Sequence, residues 1–191
     1  MGESPTREDA WALLTEYTDN PSLIKHALGV EAAMRAYARS FGEDENVWGV
    51  IGLIHDFDYQ QNPTEETHVH VGMKILREKG WSEDWVQIVA SHADYMGIPR
   101  ENRAAKTLFA VDELSGFLTA CALVRPDKAI AEVKVKSVKK KLKDKAFARG
   151  VNRDDVRNGA EELGVDLGEH IEFVRNAMAT ISDKLELPPR E

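Results

Sequence analysis

Residues 44–59 read DENVWGVIGLIHDFDY, and the way this stretch folds decides the rest of the chain. Val47, Val50, Ile51 and Ile54 recur at spacings of three and four, the period of one helix face. The spacing predicts a buried helix from about Asp44 to Asp56. Its apolar run ends on an adjacent histidine and aspartate, His55 and Asp56.

Outward from this stretch, nearly every segment reads as helix and none alternates as a strand would. Ser4-Pro5 opens a first helix carrying Trp11, Leu13, Leu14 and Tyr17, with proline in its first turn. Asn20-Pro21-Ser22 restarts the chain into a second helix that ends near Phe41-Gly42. Asn62-Pro63-Thr64 is a turn, and a fourth helix follows to Lys79-Gly80, where glycine suits a C-terminal stop. Ser82 caps a fifth helix closing near Asp94, and a long apolar helix spans Arg103 to Arg125 before Pro126. A basic amphipathic helix and two shorter acidic ones complete the chain. At 191 residues, with 42% hydrophobic and 30% charged side chains and no repeats or linkers, the expectation is one all-α domain over residues 1–191.

The helical period also tests which polar residues face inward. His26 shares its face with Leu23, Ala27, Val30, Ala33 and Tyr37, and His92 lies in line with Trp85, Ile88 and Val89. Asp112 sits among Leu108, Phe109, Ser115 and Gly116, where an unpaired carboxylate would cost several kcal/mol or give up its charge. His68 aligns with Val71, Gly72 and Ile75, whereas His70 aligns with Lys74 and Arg77, so His68 is the inward member of that pair. His170, and the single Cys121 in TACALV, read as ordinary core residues.

His26, His55, Asp56, His68, His92 and Asp112 thus form a nitrogen and oxygen donor set with almost no sulfur available. Such donors suit zinc, manganese or iron, with magnesium, cobalt and nickel as further candidates. The set is larger than one closed structural site uses, which points to two divalent ions and hydrolytic chemistry.

The net charge of −8 argues against general nucleic-acid affinity, but it is unevenly spread. Asp127 to Arg149 holds eight lysines and one arginine against three acids. Val135, Val138, Leu142 and Phe147 give that stretch one apolar face. Most such charge runs are solvated; the functional alternative is that Lys136, Ser137, Lys140 or Lys143 grips a substrate phosphate. Tyr59 and Tyr95, close to the donor residues in sequence, are candidates for contacting a base or sugar ring. No run is long enough to span a membrane, and the opening MGESPTREDAWALL has acids where a secretory leader is basic, so a cytoplasmic protein is expected.

The order H…HD…H…H…D resembles the HD superfamily of metal-dependent phosphohydrolases. The matching pieces are His26 in KHALGV, His55-Asp56 in GLIHDFDY, His68 in HVHVGMKIL, His92 in ASHADY and Asp112 in FAVDELSGF, over about residues 22–125. HVHVG also resembles the family's H-x-x-x-G helix start, and the tail KSVKKKLKDKAFARGVNRDDV, residues 136–156 within the basic and C-terminal helices of 127–187, looks like the extension of a small, stand-alone HDIG-type bacterial subset. Phe57, Asp58 and Tyr59 stand where HDIGK-type members carry Ile, Gly and Lys, so that phosphate-side lysine is missing. The GYP motif of cyclic-di-GMP phosphodiesterases is absent, as are the TTGR-like and IEPGR-like pieces of the dinucleoside tetraphosphatase branch.

The resemblance implies an HD-domain helical bundle in which Asp56 bridges two metals. His26, His55 and Asp112 would complete one side, and His68 and His92 the other. With a single ion, His68 and His92 would contact substrate or water instead. The implied activity is hydrolysis of a small phosphate ester, a nucleotide or sugar phosphate, by metal-activated hydroxide, with Asp58, Asp94 or a lysine protonating the leaving group. The alternatives are a dinuclear iron oxygenase on the same fold and a non-catalytic nucleotide-binding module. The oligomeric state is not indicated by the sequence.

Overall fold

Helix boundaries in this chain fall where short polar side chains can take up free backbone N–H groups. In the computed structural model, which describes residues 5–188, Thr6 and Asp9 cap α1 (Arg7–Tyr17) reciprocally. Asn20 caps α2 (Pro21–Phe41), with Pro21 as its first residue and left-handed Gly42 as its stop. Asp44 accepts from two backbone N–H groups at the start of α3 (Glu45–Ile54). α4 (His70–Glu78) and α5 (Glu83–Ala90) lead to a 3₁₀ turn at Asp94–Met96. Asn102 caps α6 (Arg103–Leu123), and a second 3₁₀ turn covers Ile130–Glu132. α7 (Val135–Lys141), α8 (Arg153–Leu163), α9 (Leu167–Ala179) and α10 (Ser182–Leu185) follow. The described residues contain no strand, so the fold is all-α.

Several expected boundaries move. The first helix starts at Arg7 rather than at the proline, with Pro5 ahead of the Thr6 cap; Ser4 lies outside the described residues. The third helix stops at Ile54, which leaves His55 and Asp56 in the turn beyond it. The fourth does not begin until His70, because Val69 takes a positive φ of 64°. The fifth ends at Ala90 instead of Asp94. The basic helix shrinks to seven residues, since like charges one turn apart oppose it and Ala148 turns left-handed beyond it. Three helices follow it rather than two.

α2, α3 and α6 pack on one another at the centre, and their shared core includes Met34, Ile51, Leu53, Ile54, Leu108, Leu114, Phe117 and Leu118. α1 closes over α3, and α5 bridges α3 and α6. α9 covers α2 and α6, where buried Tyr37 and His170 bond at 2.6 Å and His170 Nε2 donates to the Ala110 carbonyl at 2.8 Å. α8 lies along α6 so closely that a Cβ at Gly159 would meet the Ala110 Cα at 2.6 Å. No helix among the described residues is long and apolar enough to cross a membrane.

That approach makes Gly159→Ala informative. Forcing α8 off α6 should lower the unfolding free energy by about 1–3 kcal/mol, the usual cost of overpacking, as read by urea denaturation.

Candidate metal centre

The centre is assembled from two kinds of position. His26 and Asp112 come from the interior of α2 and α6, which the apolar core holds side by side. His55, Asp56, His68 and His92 come instead from turns just outside helices. The turn after α3 is tied down by the buried Thr18 hydroxyl, which donates to the Phe57 carbonyl at 2.8 Å. His68 ends a turn in which its N–H donates to the Thr64 carbonyl at 2.7 Å. It is therefore buried without belonging to α4, while His70, the first residue of that helix, is exposed.

The histidine tautomers follow from their neighbours, because a carbonyl can only accept. His55 Nδ1 donates to the Gly52 carbonyl at 2.8 Å, and His92 Nδ1 to the Val89 carbonyl at 2.6 Å. Their Nε2 atoms are left facing carboxylates. His55 Nε2, on a side chain with 0% exposure and without a hydrogen-bond partner, lies 3.3 Å from Asp112 Oδ1 and 3.5 Å from Asp56 Oδ2. His26 Nε2 lies 3.0 Å from Asp112 Oδ1 and 4.0 Å from Asp56 Oδ2. On the other side, His68 and His92 Nε2 each lie 3.1 Å from Asp56 Oδ1. Each oxygen of Asp56 therefore faces a different group. His26, His55, Asp56 and Asp112 form one, and Asp56, His68 and His92 form the other, with the donor atoms of each within 4.8 Å of one another.

Lone pairs aimed at carboxylates are stable only with positive charge between them, either protons or metal ions. Burial alone would lower the His55 pKa, but the charges of Asp56 and Asp112 outweigh it and hold it well above the usual imidazole value. Burial likewise opposes charge on His68, yet hydrogen bonding to Asp56 and the nearness of Asp58 push it up to about 9. Asp112 is held well below the carboxylate range: burial would raise it, and the nearby His55 charge with the His26 hydrogen bond overcomes that. The donor set and its orphaned His55 nitrogen fit divalent metal ions.

Asp58 stands behind this set. It is 1% exposed, accepts from the Gly72 N–H at 3.1 Å, and brings Oδ1 to 3.2 Å from His68 Nδ1, close but short of hydrogen-bond geometry. A Cβ at Gly72 would meet the Asp58 Cγ at 2.9 Å, so the glycine four residues after His68 gives Asp58 its room. Asp58, expected as a candidate acid, does not line the cleft and lies against the Nδ1 side of His68. Asp94 does line the cleft, where Arg100 pairs with it at 2.9 Å.

Above the ligand groups opens a cleft of about 580 Å³. Tyr59 and Tyr95 form part of its wall, Tyr59 edge-on to His68 with ring centroids 5.1 Å apart. Lys136, Ser137, Lys140 and Lys143 do not line it; all four are exposed on or just after α7, which packs on α6 and α9. The sequence reading also missed part of the wall: Glu65, Phe109, Glu113, Asn152 and Asp155. Glu113 accepts from the Asn152 N–H at 3.1 Å, and burial beside Asp112 pushes it up to about 8. Glu113 directly follows Asp112, yet no periodic pattern distinguishes it from any other helical glutamate. Asn152 and Asp155 reach the cleft only through the packing of α8 on α6.

The fold and this geometry define an all-α domain with a clustered histidine–carboxylate centre suited to divalent metal. Residues 23–116 match the family model of the HD domain, so that segment of the chain is an HD domain. Comparison with curated proteins and with solved structures finds no match.

Stability against pH separates protons from metal at this centre. In chelator-treated protein the folded state holds the His68 proton more tightly than the unfolded chain does. Its contribution is therefore complete below the ordinary value of 6.5 and lost as pH rises through about 9. The unfolding free energy should fall by about 2–3 kcal/mol over that interval. Metal-loaded protein should show no such fall, because metal replaces the proton. Urea titrations at pH 6, 7.5 and 9 test this, and parallel curves for the two forms would refute it.

Proposed function

We propose that this protein is a phosphohydrolase that uses two divalent ions to cleave a small phosphate ester, a nucleotide or sugar phosphate. The observation that carries this reading is Asp56, whose two oxygens each face a separate ligand group. His26, His55 and Asp112 would hold one ion with Asp56 Oδ2, and His68 and His92 the other with Asp56 Oδ1. Bound there, the ions would activate water and offset charge on the phosphoryl oxygens.

The chain's own groups do the rest. The Gly52 and Val89 carbonyls accept from Nδ1 of His55 and His92, which keeps Nε2 free for metal, and Asp58 faces Nδ1 of His68 at 3.2 Å. Tyr59 and Tyr95 offer aromatic faces to the organic part of the substrate. Glu113, in the same wall, is the carboxyl we assign to protonating the leaving oxygen in place of Asp58 and Asp94.

A second reading has one observation behind it. Among the described residues, no lysine or arginine lines the cleft, so an anionic substrate would rely on the metals alone. Oxygen activation at two irons on a less charged substrate answers that feature.

Elemental analysis of protein purified without chelator should find close to two Mn, Fe or Zn ions per chain. Both should be lost in a His55→Ala/Asp56→Ala variant. A panel of phosphate monoesters should then be hydrolysed by the wild type and left at background by the variant. Iron-loaded protein that consumes oxygen and leaves the panel untouched would decide for the oxygenase, and absence of metal after reconstitution would sink both readings.

A further inference from the structure

Arg100 lies between α5 and α6, outside both ligand groups, yet its side chain is only 10% exposed. One guanidinium nitrogen, Nη1, donates to the Ser91 carbonyl at 2.9 Å, in the peptide that joins Ser91 to His92. Nη2 donates to Asp94 at 2.9 Å, two residues beyond that histidine. The fork therefore grips the chain on both sides of His92. Glu162 of α8 holds it from behind, accepting from Nε and Nη2 at 2.8 Å each, and the guanidinium carbon lies 3.7 Å from the ring centroid of Phe109 in the cleft wall.

This arrangement has a direction. The His92 ring is tied to α5 on one side by its bond to the Val89 carbonyl, but His92 itself lies beyond the last residue of that helix. A backbone outside a helix needs a second anchor if its side chain is to stay within a few tenths of an ångström of a metal position. The planar, five-donor guanidinium can hold one carbonyl and two carboxylates at once, which an ammonium on a flexible stem does less well. Glu162 lies on a helix outside residues 23–116, the segment that matches the HD domain.

We infer that Arg100, braced by Glu162, is a positioning residue that sets His92 for the second ion, so that α8 is a working part of the metal centre. The inference rests on the two-ion reading and adds the residues that make the second ligand group competent.

Calorimetric titration of chelator-treated protein with Co²⁺ tests it without reference to turnover. His92→Ala identifies the weaker binding step as the His68–His92 group, and His26→Ala identifies the other. Glu162→Ala and Arg100→Ala should each weaken the His92-dependent step by about 10–100-fold and leave the His26-dependent step unchanged. The double variant should be no worse than Arg100→Ala alone, and Arg100→Lys should recover only part of the loss. Equal weakening of both steps, as general destabilisation would produce, overturns the inference, and so does an unchanged second step or full additivity. Wild-type protein that binds a single ion would overturn the two-ion reading as well, and that result appears before any Arg100 variant is made.

Discussion

His55 donates one ring proton to the Gly52 carbonyl, and the lone pair left on its other nitrogen points between two carboxylates. With the side chain fully buried, neither water nor a rotamer change relieves that arrangement. Positive charge must lie there, and among the described residues no lysine or arginine lines the cleft to supply it. His92 repeats the pattern from the Val89 carbonyl, and His68 faces the same aspartate with Asp58 behind it. Asp56 is where the two demands meet, one oxygen serving each side.

The scaffold delivers these groups by two routes with different tolerances. α2 and α6 place His26 and Asp112 through helix geometry, and that placement is as secure as the apolar packing around them. His55, Asp56, His68 and His92 stand in turns, so each needs its own restraint. Thr18 ties the turn after α3, the Thr64 carbonyl and the positive-φ Val69 set His68, and Arg100 holds the chain about His92. Backbone outside helices can bring several imidazoles to one point, which rigid cylinders about 10 Å across do less readily.

The charge distribution sharpens the chemistry. Acidic side chains crowd the cleft, from Glu65 and Asp94 to Glu113 and Asp155, while the lysine-rich segment lies elsewhere. Ions in the ligand groups would be the main positive charge a substrate meets. The wall contributed by α8 is acidic as well, so the organic part of a substrate encounters hydrogen-bond acceptors and aromatic faces rather than further cations.

Much of this was legible in the residues alone. Apolar spacing in 44–59 and 103–125 was enough for an all-helical fold, since helical periodicity is a local property that neighbours reinforce. The ordered histidines and aspartates marked the candidate ligands, because polar donors on apolar faces need a reason to be there. Helical phase favours His68 over His70, although the turn before α4 and the room made by Gly72 are what bury it. Only tertiary structure decided the rest: that Asp58 backs His68 instead of facing the cleft, that the lysines of α7 lie away from it, and that Glu113, Asn152 and Asp155 form its wall. Those outcomes depend on how α8 and the turns pack against α6, a relation between residues tens of positions apart that leaves no period in the sequence.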